Sequence, residues 1–241
     1  MLRRFICFAI FPLVLAIQGC GGAGLPVVPP DPTIRYVNAS PNSGTVDFFL
    51  DGDVVGSALP YLGSTANFAS RTPGDQELSV AITGDPEAQW TEAIAPERDK
   101  HYVAVAFGLR TPPNTELAKR MRIGILTADR ARLNNGARLI VFHAYSRATG
   151  FDTPSIDFQN PGDNPQYHLD SITFGNALIL EVNAGTQTFV ARRNQTEAEI
   201  TPQVTKLFEA GKIYLVLVTG VEGDVGATAP KIEFIELATK N

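Results

Sequence analysis

Ile34 to Gly52 reads IRYVNASPNSGTVDFFLDG, and this stretch decides the fold. Ile34 to Ala39 has the composition of a strand, and Ser40-Pro41-Asn42-Ser43-Gly44 is a turn that must end it. Val46 to Leu50 is a second strand, and Asp51-Gly52 offers a tight hairpin into Val54-Val55. Outward from there the period stays short. Leu78, Val80 and Ile82 alternate with Ser79, Ala81 and Thr83, the pattern of a strand half buried against a core. His101 to Phe107 is more uniformly apolar, as suits a central strand, and Arg122 to Leu126 follows. Trp90, the single tryptophan, falls in a short run expected to cover the core. Thr115 to Met121 has room for one or two helical turns.

A weaker echo begins near Arg138. Asp47-Phe48 aligns with Asp157-Phe158, Gly63 with Gly175, Gly74 with Gly185, Tyr102 with Tyr214 and Gly108 with Gly220, at offsets of 110 to 112 residues. Offsets this regular point to an internal duplication. The chain therefore divides into a unit at 33–133 and a divergent repeat at 136–239. The junction around Arg132 to Gly136 is too short for a free linker, so the units should touch. About seven short strands per unit, with frequent turns, predict an all-β protein of two tandem immunoglobulin-like β-sandwiches. A single large barrel is the alternative.

The first unit also resembles a bacterial family, domain of unknown function 4397. The likeness rests on Ala39-Ser40-Pro41, Val46-Asp47-Phe48 and Asp51-Gly52, with Asn38 where the family commonly has His. It continues through Pro73-Gly74-Asp75-Gln76-Glu77-Leu78 and Lys100-His101-Tyr102-Val103-Ala104-Val105. The resemblance implies fold and compartment, and no activity.

The N-terminus reads as an address. Met1-Leu-Arg-Arg precedes thirteen largely apolar residues, Phe5 to Ile17, too short to span a bilayer and suited to a signal peptide at 1–19. Ile17-Gln18-Gly19-Cys20 resembles a bacterial lipobox, with cleavage between Gly19 and Cys20. Lipidation there requires the Cys20 thiol, because a diacylglyceryl group attaches through sulfur. An ordinary secretory signal and twin-arginine export are the competing readings. Residues 20–32, with four prolines between Gly21 and Pro32, form a tether reaching up to ~40 Å at about 3.3 Å per residue. Gly21 is not the Asp of an inner-membrane retention signal. The expected location is the cell envelope, on the outer membrane if the organism is Gram-negative.

Composition narrows function further. The net charge is −5, and without Arg3 and Arg4 18 basic residues face 25 acidic ones. Nucleic acid is excluded as a partner, since neutralising phosphates needs clustered Lys and Arg. Cys7 and Cys20 are the only cysteines, so the folded part lacks disulfides and must hold together by core burial.

No catalytic residue, metal site or cofactor is expected. His101, His143 and His168 fall in three separate strands without the spacing of a ligand set. Asp47, Asp51 and Asp53 form a superficial calcium run, but no Gly and distant Glu follow it. Asn38, Ser40, Asp47 and Asp157 remain as motif residues of functional or structural meaning, with strand aspartates accepting backbone N–H groups as the simpler role. The expected function is a non-enzymatic, lipid-anchored binding or structural module, whose partners are the membrane and an envelope protein or glycan. The alternative is a secreted hydrolase of envelope glycans using Asp or Glu residues not singled out by any motif. A sensor or regulator is a third reading.

Overall fold

The computed structural model describes residues 28–111, 119–131, 133–147, 153–196 and 198–237, with backbone alone at 86–88. The signal segment, Gly19, Cys20 and the first part of the tether lie outside the described residues, as do 115–118 of the expected helical turn. Met121, at its end, is buried against the first repeat's core.

Among the described residues sixteen strands are formed, eight per repeat. The first repeat contains β1 (Thr33–Asn38), β2 (Val46–Leu50), β3 (Asp53–Leu59), β4 (Ala69–Ser70), β5 (Gln76–Ile82), β6 (Asp85–Ile94), β7 (His101–Phe107) and β8 (Arg122–Thr127). The second contains β9 (Gly136–His143), β10 (Ile156–Gln159), β11 (His168–Ile172), β12 (Ala177–Asn183), β13 (Gly185–Arg193), β14 (Val204–Phe208), β15 (Ile213–Thr219) and β16 (Lys231–Leu237). Their sheets match strand for strand. The order β3-β2-β5-β6 recurs as β11-β10-β13-β14, and β4-β1-β7-β8 recurs as β12-β9-β15-β16. Four open sheets in two sandwiches replace the single-barrel alternative. In both repeats the opening strand runs parallel to the seventh, β1 to β7 and β9 to β15. Trp90 lies inside the ten-residue β6, opposite Val80, a longer strand than expected, and packs against the first repeat's core. Asp51 and Gly52 both have positive φ, 51° and 86°, as the hairpin turn between β2 and β3 requires.

Strand alternation builds three cores. Ile34, Tyr36, Ala104 and Ala106 point into the first sandwich, beside Phe48 and Val80. Leu139, Val141, Val216 and Val218 point into the second, beside Phe158 and Phe189. The intervening residues, Val37, Val103, Val105 and Phe107 from one repeat and Ile140, Phe142, Leu215 and Leu217 from the other, form a third core. The two inner sheets therefore pack against each other, and the molecule is a stack of four sheets. This explains the uniformly apolar His101 to Phe107 run and the complete burial of β9, because both faces of these strands are covered.

The third core is closely fitted. Phe107 and Phe142 meet edge to face with centroids 5.2 Å apart. A Cβ at Gly175, where φ is +82°, would stand 2.6 Å from the Phe107 ring, so no side chain can replace that hydrogen. Polar bonds cross the same interface. Arg35 Nη1 donates to the Glu236 carbonyl at 2.6 Å, and Thr219 Oγ1 donates to the Ala39 carbonyl at 3.0 Å.

The structure shifts one pairing in the repeat alignment. Leu62 N–H donates to the Asn38 carbonyl while Asn38 N–H donates to Gly63; Gly175 N–H donates to His143 while His143 N–H donates to Asn176. Gly175 thus matches Leu62, whose φ is +67°, and not Gly63. A leucine holding a left-handed conformation hides the correspondence from sequence.

Candidate functional site

The motif residues converge on one construction, used twice. In β3, Ser57 and Ala58 together oppose the single Asp47 of β2, since Val46 pairs with Leu59 and Phe48 with Gly56. This is a β-bulge, and Ala58 sits at its kink with φ +48°. Asp47 Oδ1 accepts the Ala58 N–H at 2.6 Å. Asn38, at the end of β1 and fully buried, donates from Nδ2 to the next carbonyl, that of Leu59, at 3.1 Å. An aspartate and an asparagine thus hold the two sides of one strained residue.

The second repeat repeats this with one substitution. Asp170 and Ser171 of β11 oppose Asp157 of β10, and Ser171 has φ +54°. Asp157 Oδ1 accepts the Ser171 N–H at 2.8 Å. His143 stands where Asn38 stood, and its Nδ1 lies 3.0 Å from the Ile172 carbonyl. A carbonyl accepts only, so Nδ1 carries the proton in the neutral ring.

The turns beyond differ. In the first repeat Asn38 also donates to Ser43 Oγ and the Gly44 carbonyl, both at 3.2 Å, and accepts the Ser40 N–H at 3.0 Å. Ser40 Oγ donates to the Gly108 carbonyl at 2.7 Å. Ser40 is fully buried and its hydroxyl is engaged, so it is not placed as a nucleophile. In the second repeat, His143 Nε2 and Ser146 Oγ are buried with no hydrogen-bond partner among the described residues. Burial holds the His143 imidazole down to about 4, against the opposing pull of the Ile172 and Tyr145 carbonyls. Nearby, Glu222 receives Arg147 Nε at 3.0 Å and Arg193 Nη2 at 2.6 Å. Burial alone would raise the Glu222 carboxyl; the two guanidinium groups outweigh it and hold it below the usual range. Burial and the Glu222 charge push the Tyr145 hydroxyl up to about 12.

The remaining sequence candidates separate. Asp47 and Asp51 stand at opposite ends of β2, roughly 13 Å apart at 3.3 Å per residue. Asp51 Oδ1 accepts the Glu77 N–H, so the calcium run does not assemble. His101 is half buried, with Nδ1 2.7 Å from Thr33 Oγ1 and its ring edge-on to Phe68. His168 is different. With Asp157 and Asp170 it offers ligand atoms that all lie within 4.8 Å of one another, a grouping that sequence reasoning missed. The signal was His168-x-Asp170, but which strand aspartate faced it depended on the bulge.

The tether meets the fold at the opposite end of β1 from the motif turn. Arg98 Nη1 binds the Pro29 carbonyl at 3.1 Å and Asp31 at 2.5 Å, and Asp99 N–H donates to Pro30.

A family model described as a domain of unknown function, DUF4397, matches residues 32–159, the first repeat together with β9 and β10. No curated protein matches the chain. Among solved structures, a "putative cell adhesion protein" from Bacteroides ovatus ATCC 8483 aligns at 8% identity over 89% of this chain and 100% of that one. Its TM-score is 0.23, too low for the likeness to carry an argument.

Proposed function

The chain belongs to the family of domain of unknown function 4397, and from that premise we propose a non-enzymatic, lipid-anchored module of the bacterial envelope. The observation that carries this reading is how the motif residues are used. Asn38, Ser40, Asp47 and Asp157 all bind main-chain groups of their own fold. What these residues specify is a scaffold rather than a reaction centre. The loops and the outer sheet faces then remain for an envelope protein or glycan.

Anchoring follows from the lipobox at Ile17 to Cys20 and the tether behind it. Two or more acyl chains give a durable hold, each buried CH₂ contributing about 0.8 kcal/mol. Because Arg98 and Asp99 bind Pro29, Pro30 and Asp31, the tether would leave beside the loop joining β6 and β7. The opposite end, with the Ser40 to Gly44 turn, would then face away from the lipid.

Expression of the full chain in a bacterial host with labelled palmitate tests the anchor. The wild type should carry label and sediment with membranes, and Cys20→Ala should lose both. Label retained by Cys20→Ala, or an unlabelled soluble wild type, would contradict anchoring. The non-enzymatic half is tested by incubating residues 21–241 with envelope glycan fragments. Retention without shortening supports a binding module. Shortened fragments that vanish on a single Asp or Glu substitution would establish the hydrolase instead.

A further inference from the structure

We propose that the outer face of the second sandwich carries a divalent transition-metal site, of zinc type, built from Asp157, His168 and Asp170. Three features of the geometry point there. The β11 strand places His168 and Asp170 two residues apart, hence on one face of the sheet. The bulge brings Asp157 of β10 opposite Asp170 and Ser171, so a third ligand enters from the neighbouring strand. One ligand atom of each then lies within 4.8 Å of the other two.

The electrostatics ask for a cation. Two carboxylates share this small space. Among the described residues, Asp170 has His168 as its ion-pair partner, Nε2 to Oδ1 at 2.9 Å, while Arg192, opposite Asp157 in the β10–β13 ladder, is paired with Glu199. Asp157 is oriented for ligation: Oδ1 accepts both the Ser171 N–H and Asn194 Nδ2, at 2.8 and 2.9 Å, which fixes the carboxylate and leaves its other oxygen for an ion. One imidazole and two carboxylates suit zinc better than calcium, which takes six to eight oxygen ligands. Tetrahedral zinc bonds of about 2.0–2.2 Å set ligand atoms about 3.4 Å apart, so the widest gap must close by a shift of about 1.5 Å. Asp170, whose side chain is 71% exposed, can supply it.

The first repeat is an internal control. The same aspartate and bulge are present, but β3 has a second register shift, so Phe49 faces Val54 where Gln159 faces His168, and Ser57 stands where Asp170 does. The ligand pair is therefore an addition to the scaffold and not a requirement of it. Bound metal would tie edge strand β11 to β10 and keep a fourth position open to solvent.

Equilibrium dialysis of tag-free, chelator-treated residues 21–241 against zinc is the test, with circular dichroism to check folding. One zinc per chain is expected for the wild type, and none above background for folded His168→Ala or Asp170→Asn. Asn194→Ala, which removes a bond that orients Asp157, should weaken binding about 10-fold or more. Absence of binding by the wild type, or unchanged binding by His168→Ala, would overturn the proposal.

Discussion

The two repeats solve one backbone problem with different side chains. Each carries a bulge residue in the left-handed region, Ala58 or Ser171, whose N–H is held by an aspartate. The carbonyl that follows is held by Asn38 in one and by His143 in the other. Asn38 has every polar atom engaged and knits the Ser40 to Gly44 turn together. His143 Nδ1 binds the Ile172 carbonyl, while its Nε2 is buried without a hydrogen-bond partner among the described residues. A duplicated scaffold can thus keep its geometry while one copy becomes the better satisfied and the other acquires a titratable group.

This contrast makes unequal predictions. The largest effect is expected at Asn38→Ala, which leaves the Leu59 and Gly44 carbonyls and the Ser40 N–H short of partners in a buried place. A loss of about 3 kcal/mol should appear in urea unfolding; a change below about 1 kcal/mol would show that the network is incidental.

The next effect is a pH dependence specific to the second copy. The folded His143 titrates near 4 and the unfolded side chain near 6.5, so between those values the unfolded chain binds more protons. Stability is unaffected by this group above pH 6.5, falls as the pH drops below it, and stops falling from this cause below about pH 4. Between pH 7.5 and pH 5 the loss should be about 2 kcal/mol. His143→Asn, which installs the first repeat's solution, should flatten that slope. An unchanged slope would place the titration elsewhere.

The smallest effect is expected at Asp47→Asn. An amide oxygen can still accept the Ala58 N–H, so the loss should stay under about 1 kcal/mol. Asp157→Asn should behave alike in stability but, unlike Asp47→Asn, should also weaken zinc uptake. Identical metal behaviour of the two variants would erase the distinction between the repeats.

Much of the fold was legible in the sequence, for physical reasons that can be named. Asp51-Gly52 could only be a tight turn, and Leu78, Val80 and Ile82 alternated as a half-buried strand must. The glycines of the duplication stood out where positive φ or backbone contact requires them: a Cβ at Gly108 or Gly220 would collide with the carbonyl oxygen of Arg120 or Ala229, just before the next strand, at 2.7 and 2.5 Å. The third core was less legible. An apolar run such as His101 to Phe107 announces burial on both faces without saying what covers the second face. The metal grouping was hidden for a different reason. Asp157 meets Asp170 because two residues of β11 oppose one of β10, and bulges leave no reliable mark in composition. The Leu62 match to Gly175 was concealed because a side chain was tolerated in one copy and excluded by Phe107 in the other.

The two sandwiches form one body, joined through the third core. Trp90, the single tryptophan, lies in the first repeat, whereas far-ultraviolet circular dichroism reports strands of both. Urea unfolding followed by both signals, at pH 7.5 and again at pH 5, tests the claim most directly. One cooperative body predicts coincident midpoints at each pH. It also predicts that acidification lowers the Trp90 midpoint, although His143 belongs to the other repeat. Separated midpoints, or a Trp90 transition indifferent to acid while the dichroism transition moves, would contradict it.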